Sequence, residues 1–441
     1  MNETLITQLA EWLRIPSISS GGGDPADLER AAAWAADRIV EAGGEAEVVR
    51  TELNPLMVGR LSGARADAPT VLIYGHYDVQ SPDPLEAWTS PPFEPTIRNE
   101  RLYARGAADD KGNFFPLLFV ACELARAGTL PVNVRVLLEG EEEIGGDSAA
   151  GWVERDELGA DACIVFDSEM LDADTPALTL GVRGMVQMQI KIRTASRDLH
   201  SGVYGGSVLN ATHVMHSMLA AVLPGPDGRL RPELRAGILE PTPDELAAWS
   251  QLPPGDDVIA EVGGRPLDGN AGREYYRRNW ADASLDVNGI AGGDAVQLRT
   301  IVPAAAQAVL AMRLAPGQNS ADMAKTLEDL MRAAAPEGTE IDVFTNRGDS
   351  AVFDPTTPAL RLAQTALERA CGTAPALIRS GGSIPVLAAF AARDIPVVLS
   401  GFTLAEDAYH APDESFRLES LRLGEASARA LYEELAKLPP R

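Results

Sequence analysis

Two patterns of hydrophobic positions alternate along the chain and predict its elements. Residues 5–13 and 28–40 carry apolar side chains at helical spacing, and two glycines at 43–44 end the second helix. Short runs of β-branched and aliphatic residues follow, with helical stretches such as 114–127 between them. Such runs are typical of buried strands in a mostly parallel sheet with helices on both faces. The predicted strands are VLIY (71–74), VNVRVLL (132–138), ACIVF (162–166) and PVVL (396–399).

The pattern changes from Gly184 onward. The alternating and helical stretches that follow are, in order, MVQMQIKIRT, 207–223, 306–314, 320–335 and EIDVF. With a further strand predicted near 296–301, the order becomes β-α-β-β-α-β, which is a split βαβ, or ferredoxin-like, arrangement. This stretch is therefore predicted to be an inserted α+β domain.

The length of 441 residues exceeds that of a usual single domain. We predict an α/β domain formed by residues 1–184 and 352–441, interrupted by the inserted domain at 185–351. Residues 224–295 are rich in Pro, Gly and polar side chains, and only 273–280 has a helical pattern. We assign no secondary structure to the rest of residues 224–295 from the sequence.

Composition and charge exclude several classes of partner. Hydrophobic residues make up 45% and charged residues 23%, which is ordinary for a globular protein. The net charge of -26, from 64 acidic and 38 basic residues, repels nucleic acid and anionic membrane surfaces. We therefore expect neither as a partner.

The cysteines and the N-terminus favour a cytoplasmic protein. Cys122, Cys163 and Cys371 are far apart in apolar segments without a CxxC pair, which indicates buried free thiols. The N-terminal residues lack a basic region followed by an apolar stretch of signal length, and no run approaches 18 apolar residues. A cytoplasmic location is the resulting expectation.

Polar, metal-binding residue types follow three of the predicted strands. GHYD follows VLIY, EGEEE follows VRVLL, and DSE follows CIVF. In open α/β sheets the carboxyl ends of the strands form the ligand crevice. We therefore expect one edge of the sheet to gather the side chains of His76, Asp78, Glu142, Glu143 and Asp167.

Three of the five histidines lie in loop-like segments. These are His76 in YGHYD, His200 in DLHSGVYGG and His410 in YHAPDE. The other two, His213 and His216, are three residues apart on a helical stretch without neighbouring carboxylates, and we interpret them as ordinary polar residues. Only His76, His200 and His410 are therefore candidates for a functional site.

Histidine and carboxylates without cysteine are typical of a hydrolytic metal site, which suits zinc and also manganese or cobalt. The candidates are numerous enough for two ions, and such a pair needs a bridging carboxylate. Asp109 in GAADDKG is the candidate bridge. Adjacent glutamates on an extended segment face opposite ways, so one of Glu142 and Glu143 can bind metal while the other handles a proton.

At these residues the sequence resembles the co-catalytic metallopeptidases that include carnosinase, cytosolic non-specific dipeptidase, acetylornithine deacetylase and succinyl-diaminopimelate desuccinylase. The matching segments follow family order over residues 75–414. They are GHYDVQ, ARGAADDKG, LLEGEEEIGG, IVFDSEM, DLHSGVYGG, IVPAAAQAVLAMRLAP, GGSIPV and YHAPDE. An ordered set of this kind is far more specific than a single HxD motif.

The resemblance implies a ligand set for two metal ions. His76 and Asp167 would hold one ion, Glu143 and His410 the other, and Asp109 would bridge them. It also implies a cis peptide bond between Asp109 and Asp110. The inserted domain would serve as a lid and dimerisation domain.

The resemblance also assigns two carboxylates that bind no metal. Asp78 would orient His76, because a carboxylate on the second ring nitrogen fixes the tautomer. Glu142 would be the general base that takes a proton from the attacking water and passes it to the leaving amine.

On the substrate side, the resemblance to the dipeptidase branch implies four residues. His200 would reach the active site of a second subunit and stabilise the oxyanion, which makes a homodimer a catalytic requirement. Arg313 would hold the terminal carboxylate of the substrate. Further substrate contacts would come from Thr300 and Ser383.

Two positions depart from close relatives. Asp413 stands where relatives have Asn in HAPNE, which adds charge near His410, and Thr357 stands where some dipeptidases have a further substrate-side histidine. Both differences bear on substrate preference and leave the implied ligand set intact.

The sequence thus predicts a metal-dependent dipeptidase that hydrolyses small unblocked peptides. A deacylase of N-acyl amino acids with the same centre is the nearest alternative. An inactive metal-binding scaffold is an alternative of another class, but Glu142 and Asp109, whose loss it would require, are both present.

Overall fold

The computed structural model describes residues 2–382 and 384–439. Its helices are α1 (Glu3–Leu13), α2 (Pro25–Glu41), α3 (Lys111–Arg126), α4 (Ser148–Arg155), α5 (Ser201–Tyr204), α6 (Ala211–Ala220), α7 (Pro243–Trp249), α8 (Gly255–Glu261), α9 (Tyr275–Trp280), α10 (Ser320–Ala333), α11 (Pro358–Cys371), α12 (Pro385–Ala392) and α13 (Leu418–Leu435).

The strands are β1 (Glu45–Val49), β2 (Leu56–Leu61), β3 (Thr70–His76), β4 (Thr96–Arg98), β5 (Arg101–Tyr103), β6 (Asn133–Glu139), β7 (Ala162–Phe166), β8 (Ala177–Val182), β9 (Gly184–Arg193), β10 (Leu199–His200), β11 (Ser284–Gly292), β12 (Ile301–Val302), β13 (Ala305–Leu314), β14 (Glu340–Gly348), β15 (Ala351–Val352), β16 (Ala376–Ser380), β17 (Val397–Ser400) and β18 (Ser415–Arg417).

The chain forms two compact units. The first contains residues 1–180, 353–378 and 386–441, and the second contains 181–352 and 379–385. The second unit therefore interrupts the first along the sequence.

The first unit is built on a sheet with strand order β1-β2-β6-β3-β7-β17-β8. Its centre is parallel, because β3 pairs with both β6 and β7 and β17 pairs with β7 in the same direction. Strand β7 is buried along its whole length, as a strand covered on both faces must be. The four strands predicted from apolar runs all form, and the α/β class is confirmed.

Helix α3 anchors the loop before it to the core of the first unit. Its first turns are buried, and the rings of Phe114 and Phe115 pack against Trp12 of α1 with ring centroids 6.4 and 6.1 Å apart. Lys111 at its start donates hydrogen bonds to the carbonyl oxygens of Trp12 and Ile15. These contacts fix the position from which the preceding residue pair, Asp109 and Asp110, projects.

The second unit contains an antiparallel sheet in the order β11-β13-β9-β14. Alternate residues of β9 and β13 are buried, which is the pattern of strands with one covered face. The covered face joins α6 and α10 in one apolar cluster, with Ile190, Leu310, Met215 and Leu327 among its members. The elements follow one another as β9, α6, β11, β13, α10 and β14, which is the predicted β-α-β-β-α-β order.

The strand predicted near 296–301 does not form at 296–300, and only Ile301 belongs to a strand, the short β12. The third element of that order is β11, and the side chains of Val296 and Leu298 are fully exposed in the following loop. Asp294 accepts hydrogen bonds from the N–H groups of Val296 and Gln297, which turns the chain there. Within residues 224–295 the structure also forms α7, α8 and α9.

All three cysteines are free. Cys122 and Cys163 are buried as predicted, whereas Cys371 is only half-buried at the end of α11. Within residues 2–382 and 384–439, no helix has the length and apolar character needed to cross a bilayer.

Candidate metal centre

The carboxylate of Asp109 lies between two imidazole rings. Its Oδ1 lies 3.0 Å from Nε2 of His76, and its Oδ2 lies 2.9 Å from Nε2 of His410. The same His410 nitrogen lies 3.1 Å from Oε2 of Glu143. Two groups of side chains, each with donor atoms within 4.8 Å of one another, therefore share Asp109; they are His76, Asp109 and Asp167, and Asp109, Glu143 and His410.

Neighbouring parallel strands bring these side chains together. His76 is the last residue of β3, and Asp167 directly follows the adjacent strand β7. Glu143 lies in a 3₁₀ turn after β6, the neighbour of β3 on its other side. The carboxyl ends of these strands meet at one edge of the sheet, as the crevice rule for α/β folds requires.

The other two groups come from loops. Asp109 is separated from the start of α3 by Asp110, and the peptide bond between the two aspartates is cis, as the resemblance predicts. His410 lies in a loop after β17, with a left-handed backbone at φ 61°. Non-glycine residues rarely adopt this conformation, and it is concentrated at functional sites.

Asp78 contacts two of the candidate ligands. Its Oδ1 lies 3.4 Å and its backbone carbonyl 3.1 Å from Nδ1 of His76. Its Oδ2 accepts hydrogen bonds from the Ser19 hydroxyl at 2.6 Å and from the Glu143 N–H at 3.1 Å. Since Nδ1 of His76 faces Asp78, its Nε2 is the nitrogen that faces Asp109.

The EGEEE segment divides into buried and site-facing residues. Glu139 is buried and accepts a hydrogen bond from the hydroxyl of Tyr74. Glu141 is fully buried and accepts from the hydroxyls of Thr51 and Ser148. Only the two glutamates that follow are left for the site, so the run is not a solvated charge cluster.

Glu142 lies beside Glu143 in the same 3₁₀ turn. Burial raises the pKa of Glu142 well above the ordinary value for a glutamate, and the negative charges of Asp167 and Asp109 raise it further, while His76 opposes them. A carboxyl group with a raised pKa is a stronger proton acceptor once it is ionised.

The charge of the site fits divalent cations. Burial raises the pKa of Asp167 to about 7, and the charges of Asp109 and Glu143 contribute to this shift. Hydrogen bonds to the carboxylates of Asp109 and Glu143 raise the pKa of His410 to about 10. Within residues 2–382 and 384–439, the buried Oε1 of Glu143 has no hydrogen-bond partner. Excess negative charge and an open carboxylate oxygen are what a divalent cation neutralises, and oxygen and imidazole donors are its ligands.

Three of the predicted substrate residues lie in the second unit. His200 is exposed and is the last residue of β10, which pairs with β12. Thr300 directly precedes β12, and its carbonyl oxygen accepts a hydrogen bond from the Ser201 N–H at 2.9 Å. Arg313 lies on β13, opposite Ser284 and Met185. Ser383 lies outside the described residues.

Sequence reasoning assigned no role to two residues that contact the ligand loops. Gln80 donates a hydrogen bond to Oε2 of Glu143 at 2.8 Å. Glu414 accepts a hydrogen bond from the N–H of Asp109 at 3.1 Å. Gln80 is the last residue of GHYDVQ, and Glu414 is the last residue of YHAPDE. Their position in segments that carry the family resemblance was the sequence signal that could have identified them.

The two departures from close relatives have local partners. Asp413 accepts hydrogen bonds from the N–H and hydroxyl of Thr89 and from Arg98, so its charge is paired. Thr357 precedes α11, and its hydroxyl donates to the carbonyl of Asp354.

Comparison with known proteins adds an independent finding. Residues 72–434 match the profile of Peptidase family M20/M25/M40. The chain is 28% identical over 418 residues to a cysteinylglycine-S-conjugate dipeptidase of Corynebacterium striatum, covering 92% of this chain and 90% of the relative. It is 25% identical over 400 residues to the human Beta-Ala-His dipeptidase, covering 87% and 78% respectively.

A solved structure shares the whole fold. An M20 family metallo-carboxypeptidase from Sulfolobus solfataricus superimposes with a TM-score of 0.88 at 25% identity, covering 99% of this chain and 100% of that one.

Proposed function

This chain belongs to Peptidase family M20/M25/M40 and is a metal-dependent dipeptidase, and from that premise we propose that two divalent ions are held by His76, Asp109, Glu143, Asp167 and His410. The observation that carries this assignment is the position of Asp109 in both clusters of ligand atoms. A carboxylate with an imidazole close to each of its oxygens is suited to bridge two ions, each of which one imidazole would also bind.

Zinc is the ion we propose, with manganese and cobalt as alternatives. Two imidazoles and three carboxylates suit all three metals, and imidazole nitrogen favours zinc over magnesium or calcium. The chemistry that two such ions supply when bound is Lewis acidity toward a peptide carbonyl and toward water.

Glu142 is the proposed general base. Its carboxyl group is close enough to His76, Asp167 and Asp109 for their charges to shift its pKa. It accepts the proton of the attacking water and passes it to the leaving amine. Asp78 holds the second nitrogen of His76, which keeps Nε2 directed to the cluster.

His200 is the proposed oxyanion donor, and it acts on the active site of a second subunit in a homodimer. Its Nδ1 accepts a hydrogen bond from the Gly202 N–H at 3.0 Å, so in the neutral ring the proton resides on Nε2. An exposed ring with Nε2–H is a ready donor to a developing oxyanion.

The proposed substrate is a small unblocked peptide. Arg313 would bind its terminal carboxylate, with Thr300 and Ser383 as further contacts. The relatives named as dipeptidases support this class. The three free cysteines support a cytoplasmic location, because thiols are kept reduced in the cytosol.

Substitution of the base tests the mechanism. Glu142→Gln removes the proton acceptor and none of the five ligands, so turnover of dipeptides should be abolished while two metal ions per subunit stay bound. Metal content by elemental analysis and initial rates on a dipeptide panel measure both. Normal turnover would reject the assignment of Glu142.

The deacylase and the scaffold are separated from the dipeptidase by substrate and by chelation. Unblocked dipeptides are compared with N-acetyl and N-succinyl amino acids, and a dipeptidase prefers the former. Loss of hydrolysis with a chelator and its return with Zn²⁺, Mn²⁺ or Co²⁺ would exclude the inactive scaffold.

A further inference from the structure

The carboxylate of Glu414 is enclosed by hydrogen-bond donors from the loop that carries Asp109. Its Oε2 accepts from Nη1 of Arg105 at 2.6 Å and from the Gly106 N–H at 3.0 Å. Its Oε1 accepts from the N–H groups of Ala108 at 2.8 Å and Asp109 at 3.1 Å. Glu414 has no exposed surface, so these four donors replace the water that the charge lost on burial.

Glu414 also ends the loop that carries His410. Three non-glycine residues of that loop, Ala408, His410 and Asp413, have left-handed backbones with φ between 54° and 61°. Such conformations cost free energy and persist only where the surroundings hold them. Three backbone hydrogen bonds and one from the Arg105 side chain attach the end of this loop to the segment that ends at Asp109.

We propose that Glu414 is a positioning residue that holds the two ligand loops in register, so that the carboxylate of Asp109 faces His76 and His410 together. The proposal rests on the metal centre proposed above, because it concerns the placement of the bridge. Glu414 itself reaches neither metal nor substrate, since both of its oxygens are occupied by donors.

The role requires a carboxylate and not only a polar side chain. All four partners are donors, two on each oxygen, and a carboxylate can accept from all of them. Glutamine offers one oxygen and one NH₂ group, so in either orientation two donors would face another donor. Glu414→Gln would therefore release either the Arg105 and Gly106 pair or the Ala108 and Asp109 pair.

Asp156 offers a matched control. Its carboxylate pairs with Arg135 through two hydrogen bonds of 2.7 Å and accepts from the N–H of Gly159 at 3.0 Å. It is therefore another arginine-bound carboxylate with a backbone donor in the first unit, and it contacts none of the proposed ligands. Asp156→Asn makes the same chemical change without reaching Asp109.

The experiment measures metal binding in the folded full-length chain. Wild type, Glu414→Gln and Asp156→Asn are freed of metal, their thermal unfolding is recorded, and Zn²⁺ dissociation constants are determined by competition with a chromophoric chelator. We expect Glu414→Gln to weaken Zn²⁺ binding by about 10- to 100-fold, as loss of a group that orients a ligand does. In addition, kcat should fall with little change in KM, and the visible spectrum of the Co²⁺-loaded protein should change. Asp156→Asn should lower only the unfolding temperature.

The outcomes are distinct. Equal Zn²⁺ affinity, kcat and Co²⁺ spectra in the folded Glu414→Gln and Asp156→Asn variants would overturn the proposal. If Glu414→Gln does not fold, Glu414→Asp replaces it; this variant keeps the charge but is one methylene too short to span both donor pairs, and wild-type metal binding by it would also overturn the proposal. If the wild type itself neither binds two ions nor depends on them, the proposed metal centre fails instead.

Discussion

The carboxylate of Asp78 lies 3.4 Å from Nδ1 of His76, and neither side chain is exposed. The pair fixes which imidazole nitrogen faces Asp109. Asp78→Asn keeps the shape and the backbone carbonyl acceptor but removes the negative charge beside Nδ1, so the ring loses the charge that supports its orientation and its basicity. We expect the dissociation constant of Zn²⁺ to rise about 10- to 100-fold, measured by chelator competition. Asp83→Asn, an exposed change nearby in sequence, is the control, and equal affinity in both variants would contradict the role of Asp78.

Gln80 is predicted to support Glu143. Its amide donates to the Oε2 of Glu143, and a hydrogen bond to a charged group contributes about 1.5 to 3 kcal/mol. Gln80→Leu should therefore weaken binding of one of the two metal ions by about tenfold or more, which calorimetric titration of the metal-free protein resolves. Gln251→Leu, at an exposed glutamine of the second unit, should leave the titration unchanged. Unaltered binding in both variants would remove Gln80 from the site.

Asp413 is predicted to tolerate asparagine but not valine. Its backbone is left-handed at φ 59°, which Asn adopts readily, and its ion pair with Arg98 is partly exposed. Asp413→Asn should lower stability by about 0.2 to 1 kcal/mol. Asp413→Val adds the strain of a β-branched residue, about 1 to 3 kcal/mol more. Thermal unfolding of the two variants measures the difference, and equal unfolding temperatures would contradict the argument.

The proposed role of Arg313 can be tested by comparing substrates with and without a free C-terminal carboxylate. A guanidinium that binds the substrate terminus contributes about 1.5 to 3 kcal/mol through charged hydrogen bonds. Arg313→Met should reduce kcat/KM for dipeptides about 10- to 100-fold, while C-terminal amides of the same peptides are little affected. Arg332→Met, at an exposed arginine paired with Glu328 on α10, is the matched control. A parallel loss on acids and amides would show that Arg313 does not read the carboxylate.

Asp407 gives a prediction about pH. Burial raises its pKa to about 6, and its side chain is paired with Arg101 and has no exposure. The unfolded group titrates at about 4. Between about pH 4 and 6 the folded state therefore binds the proton that the unfolded state has released, so the stability that this group contributes at low pH is lost as the pH rises through that window.

Asp407→Asn removes that titration. Relative to wild type, the metal-free variant should gain stability from about pH 4 to 6 by at most about 2 to 3 kcal/mol, on top of a constant loss from the broken pair with Arg101. Denaturant unfolding at several pH values gives the difference. Two curves that run parallel across the window would show that Asp407 does not titrate there.

Short-range patterns predicted much of the fold. VLIY, VRVLL, ACIVF and PVVL are strands because a continuous apolar run needs burial on both faces, and this requirement is local to each run. The same reasoning placed His76 and Asp167 at strand ends, where the geometry of a parallel sheet gathers them.

Short-range sequence patterns could not predict the edge strands or the buried contacts. Strand β11 contains Asp286, Asn288 and glycines, which disfavour strands, and it forms by pairing with β13. The apolar residues Val296 and Leu298 suggested a strand, yet they are exposed in a loop. For β11 a partner strand distant in sequence outweighed local propensity, whereas at 296–298 the hydrogen bonds to Asp294 turned the chain.

The sequence by itself determined the fold class, the four central strands and the motifs that carry the candidate ligands. Only the tertiary structure decided that Asp109 lies between His76 and His410, and that Glu414 accepts hydrogen bonds from the backbone at and beside Asp109. The physical reason is range. Apolar periodicity is a pattern over a few neighbouring residues. The hydrogen bonds that orient a ligand join segments that are far apart in the chain, and no local sequence pattern predicts these contacts.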